Sequence, residues 1–287
     1  MLKPNYTYFI PSPACTHADT LRSLVYALKD MGAKDITMAE RAWCEISTER
    51  VFQHLGVPGL ARELGINLVN LQKLPAREWI HLRPVGATHW LNGFEFPRMY
   101  VDAETVVQTC ILKAHGMGGH FTMSLKSAVG MIRPGPDYIP DWDETGSTKK
   151  WPWNSGNPYY PYLGEMHVSP NIRKMIAELN TGYRTDLIVL DGVDAIVRDG
   201  PSIGPSEPLN LIIAGADRVA VDAAGVAALR LYKTTADIRH GRVFEQEQIA
   251  RAVELGLGVT TPEQIRIITG NMESQEFADM ISEVFLA

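Results

Sequence analysis

Apolar runs, polar turns and amphipathic stretches alternate along this chain from its first residues. Residues 6–10 predict a strand. Residues 20–31 predict a helix, with Leu21, Leu24, Val25 and Leu28 on one face and Gly32 as its stop. A second strand is expected at 35–40, two short helices at 47–55 and 58–64, and a third strand at 67–71. Strands alternating with covering helices imply a parallel sheet. The middle is less regular. Residues 79–83 and 93–97 read as a strand pair attached to the main sheet, and 102–105 as a turn or short helix. VVQTCIL at 106–112 is a buried strand, and 121–132 a helix.

Residues 133–166 lose all periodicity and are rich in Trp, Tyr, Pro and Gly. A segment this long between regular elements is usually functional or disordered, and so many aromatic residues favour a packed lid. The α/β pattern then returns. A helix is expected at 169–180 with Ser169 as its N-cap, a strand at 186–190 ending at Asp191, a Gly/Pro loop at 198–208, and a strand at 209–214. A helix from Asp217 to about Leu231, a helix at 245–255, a strand at 265–269 and a terminal helix complete the chain. The fold expected is α/β, a mainly parallel sheet flanked by helices, formed as one domain over 1–287 with a long aromatic-rich insertion at 133–166.

Composition narrows the function classes. Lys and Arg number 27 against 33 Asp and Glu, a net charge of −6, and no basic tract is present. Nucleic acid and anionic membrane are therefore not expected partners. No apolar run approaches the ~18 residues of a membrane span. The three cysteines, Cys15, Cys44 and Cys110, are widely spaced and form no C-x-x-C. A reducing, cytoplasmic setting is expected, without a disulfide framework or a local iron–sulfur motif.

The segment richest in chemistry is LKAHGMGGHFTMSLKSAVG, 112–130, in which a buried strand enters a Gly-rich turn. Glycines let a backbone approach a ligand closely, and a following helix would present unpaired N–H groups to an anion. Lys113, Gly118, Gly119, His120 and Thr122 are the expected substrate contacts. His115, Lys126 and the later His167 are the candidate acid–base groups, with Thr122 and Lys126 four apart on one helix face. Neither the Walker A loop nor the dinucleotide fingerprint fits. The alternative is a plain turn with solvated lysines and histidines. Asp191, at a strand end, and Asp222, inside the apolar VAVDAAGVAAL, are candidate ligands for a divalent metal. A buried Asp222 equally suits a structural partner, since an unpaired buried carboxylate costs several kcal/mol.

These same segments resemble the family called domain of unknown function 362. LKPN at 2–5 resembles its lysine-proline-asparagine motif, and GAKDITMAE at 32–40 its second strand with an acidic end. The 112–130 segment resembles its K-T-H…L-K-N…G core, His167 a later histidine, and the stretch 190–225 its D-G…G-P…G…D-x-V-A-x-D block. Ala114 stands for the usual threonine and Ser127 for the usual asparagine, which weakens polar contacts at those positions. Many relatives carry appended ferredoxin-like cysteine motifs that this chain lacks. Only Met1 and Leu2 stand where the family usually has a further strand, so a short or trimmed start is expected. The family implies no particular reaction. The lactate-racemase family, with its nickel pincer cofactor, is similar only as an analogy of His/Gly/Lys chemistry, and its residue roles do not transfer.

Three readings remain open at this level. The first is an enzyme that holds a small carboxylate or phosphate with Lys113 and Lys126 and moves protons with His115 or His167. The second is a metal- or redox-cofactor-binding protein using His115, His120 and His167 with Asp191 or Asp222. The third is a non-catalytic accessory protein whose aromatic segment is a partner surface. An oligomer is compatible with each.

Overall fold

The first two residues of regular structure already show how the chain uses its charges. In the computed structural model, β1 is only Leu2–Lys3, and Leu2 and Lys3 are both buried. The structure describes residues 1–43, 46–116, 118–133, 166 and 169–287. The expected lid at 133–166, His167 and Cys44 therefore lie almost wholly outside the described residues.

The strand expected at 6–10 is not formed. Pro4 removes a ladder donor. The N–H groups that follow are spent on side chains: Asn5 N–H donates to Thr16 Oγ1 at 2.8 Å and Tyr6 N–H to Glu40 Oε2 at 3.2 Å. The segment becomes a loop over the end of β1. Helix α1, Ala18–Asp30, leads to β2, Thr37–Glu40. Helices α2, Thr48–His54, and α3, Val57–Leu64, lead to β3, Asn67–Asn70. Ser47 caps α2 through Arg50 N–H, and α3 ends on the left-handed Gly65.

Two strands, β4 (Trp79–Leu82) and β5 (Phe94–Pro97), pair antiparallel with each other but form a separate ribbon, not an extension of the main sheet. Their aromatic side chains supply the reason. Phe94 meets Phe96 at a tilt of 49° with ring centroids 5.0 Å apart, and Phe96 meets Tyr183 edge-on at 5.7 Å. The ribbon covers the core as a layer. Helix α4, Arg98–Val101, follows, and its Tyr100 hydroxyl donates within reach of the carbonyls of Leu2 and Ala39.

The long buried strand β6, Val107–His115, is followed by a correction to the sequence reading. The helix expected at 121–132 starts instead as a strand. The Gly-rich turn folds the chain back so that β7, His120–Thr122, pairs antiparallel with β6. Only then come a single helical turn, α5 (Ser124–Ser127), and a 3₁₀ turn, Ala128–Met131. Thr122 and Lys126 thus do not share a helix.

Helix α6, Ile172–Leu179, starts two residues later than its expected cap region, with Asn171 as the N-cap. It is followed by β8, Leu187–Ile196, and the antiparallel β9, Ser206–Gly215. Both strands are longer than their apolar cores. Helix α7, Arg218–Arg230, is capped by Asp217. The short α8 (Ala236–Arg239), α9 (Glu247–Glu254) and α10 (Met272–Leu286) complete the described chain. The expected strand at 265–269 is absent. Ile265 and Ile267 do pack on the core and Ile268 is exposed, but no strand among the described residues pairs with them.

The main sheet runs in the order β3-β2-β1-β6-β8-β9, parallel except for β9 and for β7, which pairs with β6. This is an α/β fold with a mixed, mostly parallel sheet flanked by helices. One face packs Leu2, Met38 and Val107 against α1, α2 and α3. The other packs Cys110, Leu112, Ile188 and Leu190 against α6, α7 and the tail residues Ile249, Ile281 and Phe285. From β1 the chain winds outward through β2 to β3. It then resumes on the opposite side of β1 with β6. The order reverses between β1 and β6, and crevices at the carboxyl ends of strands form at such a reversal. No helix among the described residues is long and apolar enough to cross a membrane.

Candidate functional site

A cleft opens at that point, over the carboxyl ends of β1, β2 and β6. Lys3 of β1, Glu40 of β2, and Lys113 and His115 of β6 line it from the sheet. Asn5, Thr7 and Tyr8 contribute from the loop after β1, Arg41 from beyond β2, and Pro201 from the loop between β8 and β9. Thr122, Lys126, Ser127 and Gly130 close the remaining side. Among the described residues of the cleft, four basic side chains therefore face one carboxylate.

Three of the four are tied to the protein. Lys3 Nζ lies 2.7 Å from Glu40 Oε2 and donates to the Pro4 carbonyl at 2.8 Å. Glu40 also accepts from Arg41 N–H at 2.8 Å and Tyr6 N–H at 3.2 Å, so both of its oxygens hold hydrogen bonds from the protein. Burial pulls the Lys3 ammonium down and pushes the Glu40 carboxyl up, each against the charge of the other. Arg41 donates to the carbonyls of Ala42 and Val129. Lys113, 1% exposed, donates to the Ala14 carbonyl at 2.6 Å, and burial brings it down to about 8 against the pull of Cys15 and Glu40.

Lys126 is different. Its partly buried ammonium has no hydrogen-bond or ion-pair partner among the described residues. Burial, then the like charge of Lys113, brings it down to about 7. Thr122 Oγ1 and Ser127 Oγ are also buried in the cleft without a partner among the described residues. His115 turns Nδ1 onto the Gly116 carbonyl. A carbonyl only accepts, so this contact places a ring proton on Nδ1. A Cβ on Gly119 would stand 2.5 Å from His115 Nδ1, so the glycine makes room for the ring.

Buried anchors set the position of Lys126. Asp222 in α7 accepts from Ser124 N–H at 2.8 Å and Leu125 N–H at 3.1 Å. Burial pushes its carboxyl up to about 7, against the opposing effect of these two donors. Asn180 donates to the Leu125 carbonyl at 2.8 Å, and Ser124 Oγ to Gln108 Oε1 at 2.7 Å. The single turn of α5 is thereby held from both ends although it is too short to be stable alone.

The structure brings Lys113, His115, Thr122 and Lys126 together. It separates His120, whose left-handed backbone (φ 58°) turns the ring to the far side of β7, 3.9 Å from Asp237. Burial and the nearby Arg173 pull that imidazole down. Gly118 lies in the turn, with its carbonyl held by Arg173 Nη1 at 2.7 Å, and neither it nor Gly119 lines the cleft. Asp191 accepts from Thr20 Oγ1 at 2.5 Å and Val193 N–H at 3.0 Å, tying α1 to β8. Among the described residues no three His, Cys, Asp or Glu side chains gather as a metal site would require. Sequence reasoning assigned no role to Lys3, Glu40, Arg41 or Ser127. The available signals were Glu40 at the carboxyl end of the strand expected at 35–40 and Lys3 in the LKPN segment, which no expected strand contained.

Fold and site together define an α/β protein with a cationic cleft at its topological switch point. The chain belongs to the family described as domain of unknown function (DUF362), whose sequence model matches residues 1–227. No curated protein and no solved structure matches. The segments that carried the resemblance, 2–5, 32–40 and 112–130, supply most of the cleft wall, and the 190–225 block supplies Pro201 and the anchor Asp222.

Proposed function

We propose that this cleft binds a small molecule bearing a carboxylate or phosphate and moves protons on it, with Lys113 and Lys126 as charge partners and His115 and Lys126 as acid–base groups. The observation that carries this reading is the excess of basic side chains over carboxylates among the described residues of the cleft, where Glu40 alone faces them and is already paired with Lys3. Such an arrangement costs energy in the empty protein and is repaid by an anion. Groups that titrate near neutral pH suit proton transfer at neutral pH, and Lys126 and Lys113 fall in that range. The unpartnered hydroxyls of Thr122 and Ser127 supply neutral contacts beside the charges.

The test is a thermal-shift series with phosphate, oxalate and citrate on the wild type and on Lys126→Met. An anion that binds only the folded protein raises its stability, by about 2.7 kcal/mol at a hundredfold excess over Kd. Stabilisation of the wild type that is lost in the folded variant is expected. Equal stabilisation of both, or of neither, removes Lys126 from the site.

A further inference from the structure

We propose that the Lys126 amine is a nucleophile, and that it forms an imine with the carbonyl carbon of a small oxo acid. This rests on the reading of the cleft as an anion site and specifies its substrate class. The argument starts from the unequal treatment of the basic side chains. Lys3 is paired with Glu40, and Lys113 is bound to the Ala14 carbonyl. An ammonium has three protons to donate, yet Lys126 is given no acceptor among the described residues. It stands instead in the same cleft as Lys113. An architecture that keeps Lys126 as a permanent cation would supply an oxygen to it, as it does for the other two. A partly desolvated lysine beside a second cation is instead the arrangement that yields a neutral, reactive amine. The shift of Lys126 to about 7 agrees with this.

The rest of the cleft fits the reaction. Lys113 and Arg41 would face the carboxylate of the oxo acid, leaving its carbonyl to Lys126. The nitrogen lone pair adds to the carbonyl carbon and a C–N bond forms. Two protons pass from nitrogen to the former carbonyl oxygen, which departs as water, leaving C=N. No oxidation state changes and no co-reactant is consumed. Thr122 Oγ1 and Ser127 Oγ, both buried without partners among the described residues, supply contacts for the carbinolamine oxygen. His115 in the same wall carries the proton.

The experiment uses the full chain with pyruvate or glyoxylate and cyanoborohydride at pH 7, followed by intact mass and peptide mapping. The expected result is one carboxyalkyl group, on Lys126, formed about tenfold or more faster than on any surface lysine, because surface amines stay protonated at that pH. Lys126→Arg keeps a positive charge and should lose the adduct. Peptide mapping of the wild type gives the answer even if that variant does not fold. Oxalate, which offers carboxylates without a ketone or aldehyde, is tested in parallel by thermal shift. Stabilisation by oxalate with no preferred adduct at Lys126 overturns the imine and leaves the anion site standing. No stabilisation and no preferred adduct overturns both.

Discussion

Replacing Lys126 by methionine should make the protein more stable at pH 6. The side chain is partly buried in a cleft that also holds Lys113, and its ammonium has been brought from 10.5 to about 7. At ~1.4 kcal/mol for each tenfold change, that difference corresponds to ~5 kcal/mol at most. Remaining solvent contact and screening reduce it to ~2 kcal/mol. The sign follows from proton counting. Between about pH 7 and pH 10.5 the unfolded chain keeps a proton on Lys126 that the folded chain has released. Wild-type stability therefore rises with pH across that window. Methionine has a similar length and no charge, so the variant lacks this dependence. Urea unfolding of both proteins at pH 6 and pH 9.5 measures the difference. The variant should lead by ~2 kcal/mol at pH 6, and most of that lead should vanish at pH 9.5. A constant difference between the two pH values would refute the desolvated-ammonium argument, and a less stable variant at pH 6 would reverse it.

Other expectations test the supporting structure. Asp222→Ala strands the N–H groups of Ser124 and Leu125 in the interior, so a loss of about 3 kcal/mol in urea unfolding is expected, together with loss of the anion-induced thermal shift. Lys3→Met leaves Glu40 buried without its cation and should cost about 3–5 kcal/mol, whereas Lys3→Met combined with Glu40→Gln should recover much of that loss in a double-mutant cycle. Gly119→Ala puts a methyl group 2.5 Å from His115 Nδ1 and should displace the ring at a cost of about 1–3 kcal/mol. Imidazole ¹⁵N spectra would show an altered His115 tautomer signal, and an unchanged signal would mean that the glycine does not set the ring.

The strand-and-helix alternation was legible because its periods are local properties of the chain. Residues 37–40, 48–54, 57–64 and 218–230 fold much as their apolar spacing predicts. The glycine turn after β6 was legible too, but its consequence was not. A three-residue return strand is too short for periodicity to separate from a helix start. Lys113, His115, Thr122 and Lys126 could be grouped because one short segment carries them. Lys3 and Glu40 could not, since 37 positions separate them and only the parallel pairing of β1 with β2 brings them together. His120 shared the same segment, yet a single positive φ turns it out of the cleft. Asp222 was correctly expected to have a buried partner. That partner proved to be two backbone N–H groups, which leave no side-chain signature.

The tail has a bearing on how this architecture can change. The described cleft takes no residue from beyond Pro201. Residues 228–287, outside the family match, nevertheless place Ile238, Val243, Ile249, Ala252, Ile281 and Phe285 in the core. Arg173 joins Glu247 at 2.6 Å, and Arg251 reaches Glu178 at 2.8 Å, fastening α9 onto α6. A fragment cut at residue 227 would break α7 and leave an apolar plate bare, although every described wall of the cleft would be encoded. The limit of shared sequence is thus not the limit of an autonomous folding unit. Part of the core is thus built by a stretch that the described cleft does not use, so exchange of the tail between relatives offers a route to change stability while sparing the cleft.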